Sequence, residues 1–317
     1  MILNIFLLIF GFIILIKGAD VFVDGASSIA GNFKLSKMLI GLTIVSFGTS
    51  APELAVSIKS IISGNHDMVL GNVIGSNILN ILLILGVSSL FHSLNVKSAT
   101  VQKEIPITIL ITVLFSVLLS DKLINGEGVS SFTRVDGIVL VLFFTVFIYY
   151  LLTMMRNKHE NEEDDEYLSL GKAFIYTIAG IGFIVLGSNF VVDSASYIAT
   201  AFGVSQKLIS LTIIALGTSL PELATSVQAT RKGEYDIAIG NVVGSNIFNI
   251  GLVIGLPITI FGGINSINFN FIDLFTLVIA TVLLFIFSLN DKKITKKEGL
   301  FFLLVFAIYY ANVIITG

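Results

Sequence analysis

The sequence predicts an all-α integral membrane protein of ten transmembrane helices, arranged as two inverted-topology five-helix repeats. Composition, an internal repeat and the parity of its helices carry that prediction. Of 317 residues, 55% are hydrophobic and 12% charged, and the mean hydropathy is +0.97; soluble domains carry roughly 25% charged residues. Shifting the chain by 169 residues aligns Gly11–Gly86 with Gly180–Gly255 without a gap, and 21 of the 40 residues over positions 41–80 are identical to their counterparts. Five spans per repeat, an odd number, turn the second copy over in the bilayer, an arrangement suited to alternating access.

The spans follow in order. Apolar stretches near the ~20 residues that cross a hydrocarbon core fall at 2–30, 38–61, 68–91, 105–121, 135–154, 170–199, 206–230, 237–262, 269–289 and 299–315. The first lacks a positive n-region, and its apolar pattern continues past Gly18, so it reads as a retained helix rather than a cleaved signal. The first and sixth are longest and are expected to tilt. Pro52 and Pro221 interrupt the second and seventh. The third and eighth carry Gly71/Gly75 and Gly240/Gly244, small pairs that let helices approach closely. The remaining four are plain apolar spans. Residues 1–154 form the first repeat, 155–168 an acidic cytoplasmic linker and 169–317 the second repeat. Within the linker, Arg156–Glu166 reads RNKHENEEDDE, a charge block that solvates rather than folds; weak calcium sensing is the alternative.

Loop charge sets the orientation. The loops 31–37, 92–104, 155–172, 231–236 and 290–298 hold thirteen Lys and Arg, and the opposite set holds four (Lys59, Lys122, Arg134 and Lys207). The first set is therefore expected in the cytoplasm, with both termini extracellular and the chain multi-pass in the cell membrane. A net charge of −3 without a basic stripe argues against a nucleic-acid partner. The absence of cysteine removes disulfides, thiolate metal sites and cysteine nucleophiles. His66, His92 and His159 sit near loops. No catalytic residues, enzyme activity or cofactor are expected, and the partner is the lipid bilayer.

A charge at mid-bilayer costs at least ~2.5 kcal/mol. Two acidic residues, Glu53 and Glu222, fall near the middle of predicted spans, at the same place in each repeat. Gly48-Thr49-Ser50-Ala51-Pro52-Glu53 matches Gly217-Thr218-Ser219-Leu220-Pro221-Glu222. Proline frees backbone oxygens in the preceding turn, and irregular backbone at this depth is tolerated where it lines a cavity. The carbonyls of 46–49 and 215–218 and the hydroxyls of Thr49, Ser50, Thr218 and Ser219 are thus candidate ligands. The following helices repeat GNVxGSNxxN, placing Ser76 with Asn80 and Ser245 with Asn249 four apart on one face. Carboxylates, carbonyls, hydroxyls and amides without sulfur or imidazole select a hard cation. Two carboxylates neutralise one calcium, which accepts six to eight oxygens, and the same oxygens can hold sodium singly. Competition for shared ligands couples counter-transport.

The doubled GTSxPE and GNVxGSNxxN segments resemble the two alpha-repeats of the calcium/cation antiporter superfamily, in particular its prokaryotic sodium/calcium exchangers. The resemblance covers essentially the whole chain. It implies two inverted five-helix halves, four central cation sites in a diamond, central carboxylates at Glu53 and Glu222, and a first and sixth helix that slide as a unit. It also implies hydroxyl and carbonyl ligands at Ser46 and Ala215 (backbone oxygens), Thr49, Ser50, Ser76, Thr218, Ser219 and Ser245, with a middle pair at Asn80 and Asn249. Some relatives carry aspartate where this chain has Asn249, so potassium co-transport is not expected. The leading expectation is exchange of Ca2+ for Na+ by a chain that works as a monomer. The alternative is an H+/Ca2+ antiporter, in which a buried glutamate cycles protons. An intramembrane aspartyl-type protease calls for neither the inverted repeat nor the ligand wall, and an ion channel would be excluded by transport that saturates and requires a counter-ion. Asp20, Asp24 and Asp193 are open to gating or helix-end solvation. Asp67 and Asp236 suit helix N-termini, and Asn72 and Asn241 suit hydrogen bonding to the broken segments.

Overall fold

The fold was described from a computed structural model of the chain, covering residues 1–64, 66–120, 131–156, 167–204, 213, 215–264 and 271–316. Most of the linker (157–166) and most of the first half of the predicted seventh span lie outside the described residues.

Among the described residues, eight helices are long and apolar enough to cross a membrane: Ile2–Phe33, His66–Phe91, Thr100–Leu119, Arg134–Arg156, Leu170–Ala201, Tyr235–Phe261, Phe271–Leu289 and Lys296–Ile315. A ninth span is the bent pair Lys37–Thr49 and Ala51–Ile62, which turn by 45°. In the second repeat the short turn Ala215–Thr218 precedes the helix Leu220–Arg231. The chain is thus a multi-pass, all-helical membrane protein. Large apolar side chains such as Leu142, Val146, Leu304 and Ile308 face outward, as a hydrocarbon solvent requires.

The two 32-residue helices, Ile2–Phe33 and Leu170–Ala201, pack along their length. Gly11 faces Gly187, Gly18 faces Ile184, Gly25 faces Thr177 and Gly31 faces Tyr167, a descending order that makes the pair antiparallel. These two helices occupy the same place in each repeat. Glycine brings the backbones together: a methyl group at Gly187 would lie 2.6 Å from the Leu15 nitrogen and 2.8 Å from the Gly11 carbonyl oxygen.

At the centre lie His66–Phe91 and Tyr235–Phe261. Every residue from Ile237 to Phe248 is buried, so this helix meets protein on all sides and its polar residues must find partners within the fold. Both central helices change pitch at one place: π-helical segments begin at Leu79 and Asn249. Gly240 and Gly244 pack against Gly41 and Ser46. Residues 207–215, which correspond in sequence to 38–46, lie mostly outside the described residues.

Backbone pairing ties the repeats together outside the helices. Leu94–Asn95 pairs antiparallel with Lys293–Ile294, and Phe132 bridges Ile264. Two carboxylate–tyrosine bonds each join successive spans: Glu104 accepts from the Tyr150 hydroxyl, and Asp273 accepts from Tyr309 at 3.0 Å. The sequence places the start of the fourth span at 105, just before Pro106. The helix instead starts at Thr100 with a π-turn through Glu104, bringing this buried acid inside the span.

Candidate cation site at the centre of the fold

Each broken helix restarts at a serine and a proline. Ser50 (φ −84°, ψ 5°) and Ser219 (φ −89°, ψ 3°) leave helical geometry, and Pro52 and Pro221 then occupy the first turns of Ala51–Ile62 and Leu220–Arg231. Proline suits that place because its missing N–H has no intrahelical role there. Glu53 and Glu222 lie in the same first turns, where the positive end of the helix dipole favours a carboxylate.

Both glutamates are buried, at 0% and 1% exposure, so each charge needs a compensating partner. The Ser50 hydroxyl donates to Glu222 Oε1 at 3.0 Å, and Thr49 and Ser245 stand beside the same carboxylate. Thr218 and Ser76 flank Glu53, and Glu222 lies within its electrostatic reach. Neither Glu53 oxygen receives a hydrogen bond of good geometry, nor does Glu222 Oε2. Glu53 is therefore faced by Ser76 of its own repeat and Thr218 of the other, and Glu222 by Ser245 of its own repeat and Thr49 and Ser50 of the other.

The backbone of each glutamate is held by an asparagine from the next helix. Asn72 Nδ2 donates to the Glu53 carbonyl (3.1 Å) and to Ser57 Oγ (3.1 Å). Asn241 Nδ2 donates to the Glu222 carbonyl (3.3 Å) and to Ser226 Oγ (2.9 Å), and its Oδ1 accepts from Thr49. Deeper in, Asn80 Nδ2 donates to Asn246 Oδ1 (3.0 Å), and Asn249 Nδ2 donates to Asn77 Oδ1 (3.1 Å). Residues 77 and 246, and 80 and 249, are repeat counterparts, so these bonds cross between halves with two-fold symmetry.

The buried oxygens without a hydrogen-bond partner include both of Glu53, Glu222 Oε2, Asn80 Oδ1, Asn249 Oδ1, Ser219 Oγ and Ser245 Oγ. Native folds leave few such atoms. Those named belong to the two glutamates, to Ser245 beside Glu222, to Ser219 and to the crossed asparagines, a donor set of hard oxygens suited to Na+ or Ca2+ rather than to a soft metal. Among the described residues no group of three or more His, Cys, Asp or Glu could hold a metal. The charge at this centre thus rests on Glu53 and Glu222.

The remaining predicted residues fall as follows. Ser46 is buried, and its carbonyl accepts from the Ser50 N–H at 3.0 Å and, at 3.4 Å, from the Thr49 hydroxyl. Ala215 opens the turn before Thr218. Pro221 removes the N–H that would bond Gly217 O, and the Ser188 hydroxyl replaces it at 3.0 Å. Asp67 and Asp236 lie in helix first turns, and Asp236 pairs with Lys97 at 2.5 Å. Asp20 and Asp24 are more than solvated helix residues: Lys232 bridges them at 2.7 and 2.6 Å. Beside them Lys37 and Ser27 both bond Glu234 Oε1 at 3.0 Å. Asp193, the repeat counterpart of Asp24, instead lines a cavity of about 440 Å3 with Pro52, Ala55, Ser188, Asn189 and Thr218. Where the cavity's counterpart would lie, Pro221 and Thr225 are buried, and Leu220 and Ala224 pack against a core that includes Ala19 and Phe22. Two nearly identical half-sites thus differ in access.

Sequence reasoning missed Ser57, Ser226, Ser188, Asn77 and Asn246 as site residues. All but Ser188 are identical in both repeats, which was the available signal.

A model of the sodium/calcium exchanger protein family matches residues 3–153 and 172–315. The chain belongs to that family. It is similar to other exchangers and membrane proteins over nearly its full length. The sodium/calcium exchanger MaX1 of Methanosarcina acetivorans is 30% identical, covering 96% of this chain and 97% of its own. The inner membrane protein YrbG of Escherichia coli is 37% identical over 83% of this chain and 82% of its own. A solved structure of the sodium–calcium exchanger NCX_Mj superposes with a TM-score of 0.83 at 32% identity, covering 98% of this chain and 99% of that one. The family match spans both copies of the broken helix and its glutamate.

Proposed function

We propose that this exchanger-family protein is a secondary active antiporter that moves Ca2+ against Na+ by alternating access, with Glu53 and Glu222 as shared ligands. The observation that carries the reading is the crossed, buried oxygen cluster: two carboxylates, each faced by hydroxyls of both repeats, with several lone pairs unused. Thr49, Ser50, Ser76, Asn80, Thr218, Ser219, Ser245 and Asn249, with the Ser46 and Ala215 carbonyls, complete the ligand set. Ca2+ and Na+ are cargo, and no cofactor is invoked.

The ten-span, inverted arrangement belongs to the same proposal, with repeats at 1–154 and 169–317 joined by the 155–168 linker. It is supported by the antiparallel packing of the two repeat-related long helices and by the crossed asparagine bonds. Loop charge favours a cytoplasmic linker and extracellular termini in the cell membrane. In that orientation the Asp193 cavity opens outward, while the Lys232 bridges close the cytoplasmic side. One chain supplies every ligand, so the protein works as a monomer.

The test is Na+-gradient-driven 45Ca2+ uptake into proteoliposomes. Glu53→Gln and Glu222→Gln each keep the side-chain volume and remove a charge, and each should abolish uptake. Near-normal exchange in both variants sinks the assigned site.

A further inference from the structure

The middle of the site presents a chemical ambiguity. An asparagine offers a cation either its carbonyl oxygen, which binds, or its NH2, which repels. With asparagine at both 80 and 249, something must decide which atom faces inward.

The hydrogen bonds supply the decision in two steps. Asn246 Nδ2 points to the backbone carbonyl of Asn77, and Asn77 Nδ2 to that of Asn246, each at 3.4 Å. A backbone carbonyl only accepts, so turning either amide over would set two oxygens against each other. Both amides are thereby held with Oδ1 directed elsewhere. Asn246 Oδ1 then takes the NH2 of Asn80 (3.0 Å), and Asn77 Oδ1 takes that of Asn249 (3.1 Å). Once those NH2 groups are engaged, Asn80 Oδ1 and Asn249 Oδ1 must point away from the pair, and both are buried oxygens that receive no hydrogen bond. The four side chains are buried, so water does not scramble the arrangement. Amide orientation is set by its network, and here the network ends on two atoms that cannot reverse roles.

We infer that Asn77 and Asn246 are positioning residues: through their reciprocal bonds to each other's backbone, they hold the carbonyl oxygens of Asn249 and Asn80 toward the transported cation. The inference rests on the proposed cation site. It adds that each positioning residue acts across the two-fold on one ligand and not on the other.

The experiment measures Ca2+-dependent thermal stabilisation of the purified protein, alongside Na+-driven 45Ca2+ uptake, in three backgrounds. In the otherwise native chain, Asn246→Ser should raise the half-saturating Ca2+ concentration about ten-fold, the scale of one buried hydrogen bond. A carboxylate has no NH2 to misdirect, so in an Asn80→Asp background the same change should leave half-saturation unchanged or lower it. In an Asn249→Asp background the ten-fold loss should return, because that ligand belongs to the other arm. The mirror experiment, Asn77→Ser, should be relieved by Asn249→Asp and not by Asn80→Asp. It carries the test independently if Asn246→Ser does not fold. An equal loss in all three backgrounds, or no loss in the native one, overturns the inference. Because binding is read separately from flux, Ca2+ stabilisation without Na+-driven uptake counts against the exchange reading and leaves the positioning test intact. No stabilisation of the native protein by Ca2+ sinks both.

Discussion

Ser50 and Asn241 show how single residues build the site from both repeats at once. Ser50 gives Glu222 its side-chain hydrogen bond while lying in the other half of the chain. Hydrogen bonds to charged groups contribute about 1.5–3 kcal/mol, so Ser50→Ala should weaken apparent Ca2+ affinity about ten-fold or more, read as half-saturation of 45Ca2+ uptake. Asn241 and Asn72 make a controlled comparison. Asn241 is fully buried and makes three side-chain bonds, whereas Asn72 is partly exposed and makes two. Unsatisfied buried groups cost about 1–3 kcal/mol each. Asn241→Ala should therefore lower the melting temperature of the purified protein clearly more than Asn72→Ala; equal shifts would argue that the asparagines do not anchor the glutamate backbones as described. Glu53, Glu222 and their hydroxyls were legible in the sequence because each feature is local: a Pro-Glu break and an i, i+4 face. The roles of Asn77 and Asn246 were not. Their identity in both repeats is visible, but the exchange of bonds exists only once two distant helices meet.

At the scale of elements, glycine and proline govern the geometry. Proline breaks were readable because a missing N–H acts on the preceding turn, wherever the chain goes next. The fourth span starts upstream of its sequence expectation for a related reason. Pro106 is a good first-turn residue, yet a π-turn from Thr100 extends the helix upstream and carries Glu104 into it. Close packing of the long helices makes a sharp prediction. A methyl at Gly187 would meet backbone atoms of the opposing helix below 3.0 Å, and overpacking of this kind costs about 1–3 kcal/mol. Gly187→Ala should thus lower thermal stability, and Gly182→Ala, where no atom lies within 4 Å, should not. The Lys232 bridges to Asp20 and Asp24 are partly exposed, and such pairs contribute about 0–1 kcal/mol. Lys232→Ala should change the exchange rate by no more than about five-fold; a complete loss of transport would place Lys232 in the ion path instead.

Across the whole molecule, the duplication explains why so much of the fold could be read in advance. In the proposed arrangement five spans per repeat would invert the second copy by parity alone, and the antiparallel crossing of Ile2–Phe33 with Leu170–Ala201 supports that proposal. What parity does not reveal is the difference between the half-sites, one beside a cavity and the other packed shut, because that is set by tertiary packing around residues that match in sequence. The chain contains no cysteine, so single-cysteine labelling reads topology cleanly. Lys293→Cys should react with an impermeant maleimide from the cytoplasmic side, and Lys59→Cys from the outside; labelling of both from one side contradicts the proposed orientation. The most direct test of the central claim is 45Ca2+ flux into proteoliposomes with Na+ and pH gradients imposed separately. An outward-directed Na+ gradient should drive Ca2+ uptake that saturates and vanishes in Glu53→Gln, while a pH gradient without Na+ drives none. Uptake driven by the pH gradient alone, or uptake that persists in Glu53→Gln, would contradict Na+-coupled exchange at the paired glutamates.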